Sequence, residues 1–205
     1  MSILGLLALH SFVCTVIGGG SGGGAPTAQP GIKQVRNISD TPLGRNQSLY
    51  LVGFSAALNR SHDRRNMKCV FSDYSHVYGD WVERVLWSNY QNPDLGESRP
   101  VSLPIKVNMT ILEKSPGVLT LTVTENLNKT TGAKSFYGIK HFDNMSIVLA
   151  QEAPSGKAKP LCSLWVTRNH TKKEHIPLAA NYTFHEQCDS PQYVGFSKGC
   201  FELVE

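Results

Sequence analysis

Residues 118–124 read Val118-Leu119-Thr120-Leu121-Thr122-Val123-Thr124. Residues 105–112 read Ile105-Lys106-Val107-Asn108-Met109-Thr110-Ile111-Leu112. Both alternate apolar with polar side chains. A period of two is that of a β-strand, whose successive side chains point to opposite faces. In the first stretch Leu119, Leu121 and Val123 share one face and three threonines take the other. In the second, Ile105, Val107, Met109 and Ile111 oppose Lys106, Asn108 and Thr110, and Leu112 breaks the pattern.

Working outward, strand-like segments recur at 49–57, 67–76, 81–91, 134–142, 145–151 and 160–168. Turn signals separate them: Tyr78-Gly79-Asp80, Asn92-Pro93-Asp94, Ser115-Pro116-Gly117, Thr131-Gly132 and Pro154-Ser155-Gly156. Eight strands in succession predict an all-β fold. An eight-stranded antiparallel up-and-down barrel is the simplest closure, and a sandwich is the competing architecture. Residues 177–188 (PLAANYTFHEQC) predict a short C-terminal helix. Proline suits its first turn, and Leu178, Tyr182 and His185 fall near one stripe.

The chain has 205 residues, 40% of them apolar, and a formal net charge of +4. That length suits one domain plus a tail, and the apolar fraction excludes wholesale disorder. Residues 1–17 carry no charged side chain and are too short to span a bilayer, so they predict a cleaved signal peptide. Residues 18–36 begin GGGSGGGAPTAQPG and predict a flexible Gly-rich tail, leaving 37–205 as the folded domain. Gly19 to Gly23 match the G-x-S-x-G pattern of a hydrolase elbow. That motif needs a strand before it and a helix after it, which a glycine tract cannot supply. No later segment reaches 18 apolar residues, so no membrane span is expected.

Two features agree with secretion. N-x-S/T sequons stand at Asn37, Asn46, Asn59, Asn108, Asn128, Asn144, Asn169 and Asn181, eight of the chain's 12 asparagines. Cys69, Cys162, Cys188 and Cys200 follow the leader, and none sits in a C-x-x-C. Two disulfides in an oxidising compartment are the economical reading, with three pairings open. No zinc site is indicated.

The sequons also orient the strands, because a glycosylated Asn faces water. Asn108 then turns Val107, Met109 and Ile111 inward, and Asn144 turns Met145, Ile147 and Leu149 inward. With Arg84 and Ser88 read as outward, Trp81, Val85 and Trp87 point in, with Glu83 beside them. Tyr50, Val52 and Phe54 share a face, as do Cys69 and Phe71. The expected ligand-lining set is Tyr50, Val52, Phe54, Phe71, Trp81, Val85, Trp87, Val107, Met109, Ile111, Leu119, Leu121, Ile147, Leu149 and Trp165.

The order of Ser48–Phe54 (SLYLVGF), Lys68-Cys69-Val70-Phe71, Cys162-Ser163-Leu164-Trp165-Val166, Ile176-Pro177, 184–188 and Cys200 resembles the salivary lipocalins of ticks, the histamine-binding-protein-like family. The resemblance runs over roughly 150 residues; order and spacing carry it, not any single motif. It implies a lipocalin barrel and the pairing Cys69–Cys200 with Cys162–Cys188. The cysteine layout and sequon density look most like a subgroup whose members hold a sterol and restrain maturation of host dendritic cells.

The resemblance implies a secreted monomer that carries a small hydrophobic ligand, such as cholesterol, and acts on host immune cells. One alternative is a scavenger of histamine or serotonin. A buried amine needs carboxylate counter-charge, for which Asp73, Glu83, Glu113 and Glu125 are the acidic candidates. The family's amine binders carry a Cys-Asp pair and a Glu-Leu-aromatic step. Here Ser163 follows Cys162 and that step does not occur, which counts against amines. Another alternative is a ligand-free glycoprotein that binds a host receptor or mediator through its loops. An enzyme is not expected: His185-Glu186 is followed by Gln187-Cys188 rather than completing H-E-x-x-H, and no phosphate-binding or dinucleotide motif stands out. The small basic cluster at Lys172-Lys173 reads as a solvated loop, so no nucleic-acid partner is expected, and no cofactor.

Overall fold

The computed structural model describes residues 37–59, 65–91, 98–110, 118–121, 133–151, 158–196 and 198–201. The expected leader and Gly-rich tail, together with Ile111, Glu113, Glu125 and Asn128, lie outside the described residues. In chain order the elements are β1 (Leu49–Ser55), β2 (Arg65–Tyr78), β3 (Trp81–Gln91), β4 (Ser98–Thr110), β5 (Val118–Leu121), β6 (Phe136–Phe142), β7 (Ser146–Gln151), β8 (Leu161–Val166), α1 (Leu178–Gln187), β9 (Pro191–Tyr193) and α2 (Lys198–Phe201).

From β2 to β8 each strand pairs antiparallel with the next, and β8 pairs with β1. β1 returns to β2 through Leu49↔Ser72 and Tyr50↔Phe71, which closes the sheet into the eight-stranded barrel. Beyond Tyr50 the same edge of β1 is taken over by β9, with Gly53 opposite Tyr193 and Ser55 opposite Pro191. This ninth strand was not expected from the sequence. Three residues rich in neither β-branched nor aromatic side chains give no strand signal by themselves. β4 also begins earlier than the alternation predicted, because Pro100 and Pro104 interrupt the pattern while the register with β3 continues through both.

Alternation sorts the side chains into a barrel interior and an outer layer. Leu49, Leu51, Phe54, Val70, Val82, Leu86, Leu103, Ile105, Val107, Ile139, Ile147 and Leu149 form the inner cluster. Val52, Val148, Ala150, Cys162, Leu164 and Val166 face outward and are covered by α1 through Ala180 and Phe184. Gly53 makes that approach possible: a Cβ there would lie 2.7 Å from the Phe184 ring. The buried face of α1 is Ala180, Thr183 and Phe184, not the predicted stripe of Leu178 and Tyr182, which are 85% and 70% exposed. The small residue at Gly53 on the wall lets the Phe184 ring seat there, which turns Leu178 and Tyr182 toward solvent. The Cys162–Cys188 disulfide ties its end to β8.

One end of the barrel is stoppered by two 3-10 turns, Ile38–Asp40 and Pro42–Gly44. Asn37 and Asp40 cap the first reciprocally: Asn37 Oδ1 accepts from the Ser39 N–H, and the Asp40 carboxylate accepts from the Asn37 N–H. Ile38 and Leu43 insert into the inner cluster. Arg84 fixes this plug. Its side chain is fully buried on the inner face of β3 and donates five hydrogen bonds. Nε donates to Ser72 Oγ at 2.9 Å; Nη1 donates to the Leu43 and Arg45 carbonyls at 2.8 and 3.4 Å. Nη2 donates to the Gln47 and Ser72 carbonyls at 2.7 and 2.8 Å. The outward placement expected for Arg84 is therefore corrected, as is that of Ser88, which is buried beside it on the same face. Burial lowers the Arg84 pKa to about 10, while the charges of Asp73 and then Tyr74 act to raise it. The guanidinium therefore remains protonated at neutral pH.

The β6–β7 turn closes the same end. Asp143 accepts from the Met145 and Ser146 N–H groups at 2.7 and 2.6 Å and lies 3.3 Å from His141 Nε2. Burial works against its charge, but these hydrogen bonds outweigh it and hold the carboxyl below the usual aspartate value.

Replacing Arg84 with Met keeps the bulk and removes every donor. Several buried carbonyls then lose their partner at about 1–3 kcal/mol each, so a loss of about 3–5 kcal/mol is expected. Urea denaturation of wild type and Arg84→Met measures it. A difference below about 1 kcal/mol would show that the plug does not depend on this fork.

Candidate functional site: the barrel interior

The β3–β4 register sets out the interior in rungs: Val82↔Val107, Arg84↔Ile105, Leu86↔Leu103. Across the barrel, Ile147 lies opposite Trp165 and Leu149 opposite Ser163. Val82, Val107 and Ile147, nearest the plug, are 0–1% exposed, whereas Leu86, Leu103 and Leu149 are 5–8% exposed. Leu58 after β1, Met67 near the start of β2 and Tyr137 near the start of β6 pack on the same cluster but are only half-buried. The interior is apolar and closely covered throughout: Ile38 and Leu43 of the plug are 6% and 7% exposed, and Ile139, opposite Leu149, is 1% exposed.

The lining is apolar with a few placed polar groups. Trp165 presents its indole to the interior half-buried, with Nε1 donating to Ser163 Oγ at 2.9 Å. Tyr137 Oη accepts from the Lys134 N–H at 3.0 Å, and Gln151 Nε2 donates to it at 3.4 Å. Arg84 is the buried cation, and its donors are committed to the plug. Asp73 and Glu83 share the outer face with Val85 and Trp87. Asp73 accepts from Ser48 Oγ at 2.5 Å, and Glu83 lies 3.7 Å from His76. Neither supplies counter-charge to a cation in the barrel. Among the described residues, no group of three or more His, Cys, Asp or Glu could hold a metal ion.

Of the expected lining set, the structure brings Phe54, Val107, Ile147, Leu149 and Trp165 together inside the barrel. Met109 pairs with Leu119 and Val107 with Leu121 in the β4–β5 ladder. Tyr50, Val52, Phe71, Trp81, Val85 and Trp87 are corrected: they lie on the outer face. Val52 faces α1. Tyr50, Phe71 and Trp87 join Phe196 and Phe201 in an aromatic layer under the C-terminal segment. Phe71 stacks on Trp87 at 5.8 Å, and Phe196 meets Tyr50 edge-on at 4.8 Å. The Cys69–Cys200 disulfide fastens that layer. Cys69 has φ +57° in a register shift of β2 between Asn66 and Phe71. Phe54 reaches the interior because β1 shifts register between Leu51 and Gly53. Leu51, Leu86, Leu103, Ile105 and Ile139 were missed as lining residues. For Leu103 and Ile105 the signal was available in the alternation of β4, where both share the parity of Val107, once Asn108 had fixed its face.

No protein-family model matches the chain. A curated relative is Japanin of Rhipicephalus appendiculatus, 29% identical over 160 residues, covering 78% of this chain and 84% of Japanin. The solved structure of Japanin bound to cholesterol superposes with a TM-score of 0.60 at 28% identity, over 78% of this chain and 98% of that one. Apocrustacyanin C2 superposes with a TM-score of 0.52 at 12% identity, over 85% and 91%, a likeness of fold alone. The protein has the lipocalin fold. Within it, the chain is similar to Japanin, and both disulfides follow the pairing that the resemblance implied.

The lipocalin wall therefore has two apolar faces with different roles, and substitution should separate them. Phe71→Ala removes a buried aromatic from the outer layer and should cost about 3–5 kcal/mol in denaturant unfolding. It should leave the affinity of the barrel interior for a fluorescent apolar probe unchanged below the unfolding transition. A matching loss of probe affinity would place Phe71 in the chamber wall.

Proposed function

We propose that this protein is a secreted carrier of a small lipophile of the sterol class, held in the lipocalin barrel. The observation that carries the reading is an apolar barrel interior, closed at one end by the Arg84 plug and lined by Leu103, Leu149, Met67 and Tyr137, in a fold that superposes on a lipocalin solved with cholesterol. A small-molecule site of this kind is concave, mostly apolar and set with a few polar groups that fix orientation. Trp165 with Ser163, and Tyr137, are the candidates for that role. The likeness to a lipocalin that holds cholesterol supports the ligand class. The outward placement of Asp73 and Glu83 counts against a biogenic amine, because among the described residues neither acidic candidate offers it counter-charge in the barrel. Secretion is supported by the two disulfides and the eight sequons.

Organic extraction and mass spectrometry of protein purified from a secreting eukaryotic host should release a stoichiometric sterol or related lipid. Leu103→Trp narrows the barrel interior and should weaken sterol binding about tenfold or more. Recovery of an amine, or failure to bind added cholesterol, would overturn the reading.

The finer reading extends the resemblance to its biological output: the loaded protein restrains activation of host immune cells. Dendritic cells exposed to saturating protein should then fail to raise maturation markers on stimulation. Normal maturation would remove this output while leaving the carrier reading intact.

A further inference from the structure

Five of the eight sequons converge on the plugged end of the barrel. Asn37 precedes the first 3-10 turn, and Asn46 follows the second. Arg45 Nη2 donates to Asn144 Oδ1 at 2.8 Å and Gln47 Nε2 to the Asn144 carbonyl at 3.4 Å, so the chain on either side of Asn46 touches the Asn144 turn. The Thr167 N–H donates to the Met145 carbonyl at 2.8 Å, which brings the turn bearing Asn169 beside it. Asn37 and Asn108 line one cleft of about 330 Å³ together with Val77, Gly79 and Asp80 of the β2–β3 hairpin. Asn37, Asn46, Asn144 and Asn169 are exposed and Asn108 is half-buried.

The same end carries exposed apolar side chains that the fold does not cover. Val77 is 55% exposed, Tyr78 71% and Met145 39%. Val77 lines the Asn37–Asn108 cleft. The Tyr78 ring reaches to within 5.7 Å of Lys106 Nζ, on the strand that carries Asn108. Met145 directly follows Asn144. Scattered apolar residues are ordinary on a surface, but these three are gathered where the sequons are. The side-chain chemistry is also compatible with modification. The side-chain hydrogen bonds to Asn37 from the Ser39 N–H and to Asn144 from Arg45 use Oδ1, the oxygen, and not Nδ2, the atom that takes the sugar.

We propose that the plugged end is a glycan-covered pole: N-linked chains on Asn37, Asn46, Asn108, Asn144 and Asn169 lay the apolar faces of their first sugars over Val77, Tyr78 and Met145. The occupant of this apolar surface is the protein's own carbohydrate. Polypeptide partners are then kept from this end by bulky, hydrated chains.

The test uses the full-length glycoprotein from a secreting host. Enzymatic release of the glycans in heavy-oxygen water converts each occupied Asn to a labelled Asp, and peptide mapping should find the label at all five positions. Peroxide footprinting then reads coverage. Methionine sulfoxide at Met145 should form several-fold faster in Asn144→Gln than in wild type, with Met67 in the barrel interior as the unchanged control. Native deglycosylation of wild type should give the same rise at Met145, so the result does not depend on one variant folding. Unlabelled pole positions, or equal Met145 oxidation with and without the glycan, would overturn the proposal. Sterol content, measured on the same samples, tests the carrier reading separately.

Discussion

A buried guanidinium that has spent all five of its donors is the constraint on which this barrel depends. Strand alternation builds a wall with an apolar inside, but it does not close the ends. Here one end is closed by residues 37–47, which carry little regular structure of their own. Arg84 reaches from β3 to the carbonyls of Leu43, Arg45 and Gln47 while also gripping Ser72 on β2. A charge in an apolar interior would otherwise be prohibitive, and dense hydrogen bonding makes it tolerable. The arrangement also excludes a ligand from the bottom of the barrel, so any guest sits above the Arg84–Ile105 rung.

The second organising feature is that β1 is buried on both faces along its whole length. Leu49, Leu51 and Phe54 serve the interior, while Tyr50 and Val52 serve the cover laid down by the C-terminal third of the chain. That cover is fastened twice, by Cys162–Cys188 at α1 and Cys69–Cys200 at α2. Crosslinks of this type act chiefly on the unfolded chain and contribute about 2–4 kcal/mol each. They let short elements such as α2, too small to hold their own position, keep an aromatic layer closed over the wall.

This architecture explains what could be read from residues alone. Strand positions were legible because the polar face of β4 is solvent-facing and residues 118–124 alternate with threonine, so alternation was visible. Val107 was oriented correctly because Asn108 marks the wet face. Tyr50, Phe71 and Trp87 were placed on the wrong side because their outer face is as apolar as the inner one, and alternation between two apolar faces carries no sign. Arg84 misled for a related reason. A charge on a strand implies solvent, and three of the four carbonyls that compensate it come from 37 to 41 positions away in the chain. Register shifts in β1 and β2 reversed parity at Phe54 and around Cys69, and nothing local announces a bulge of that kind.

Carriage of a lipophile requires an interior that accepts a guest above the plug rather than filling itself. A crystal structure of the protein soaked or co-purified with cholesterol tests this most directly. The account predicts continuous ligand density between Leu103, Leu149, Met67 and Trp165, with the Arg84 hydrogen bonds intact beneath it. Density confined to the outer surface, with those side chains in mutual contact across the barrel axis, would contradict it.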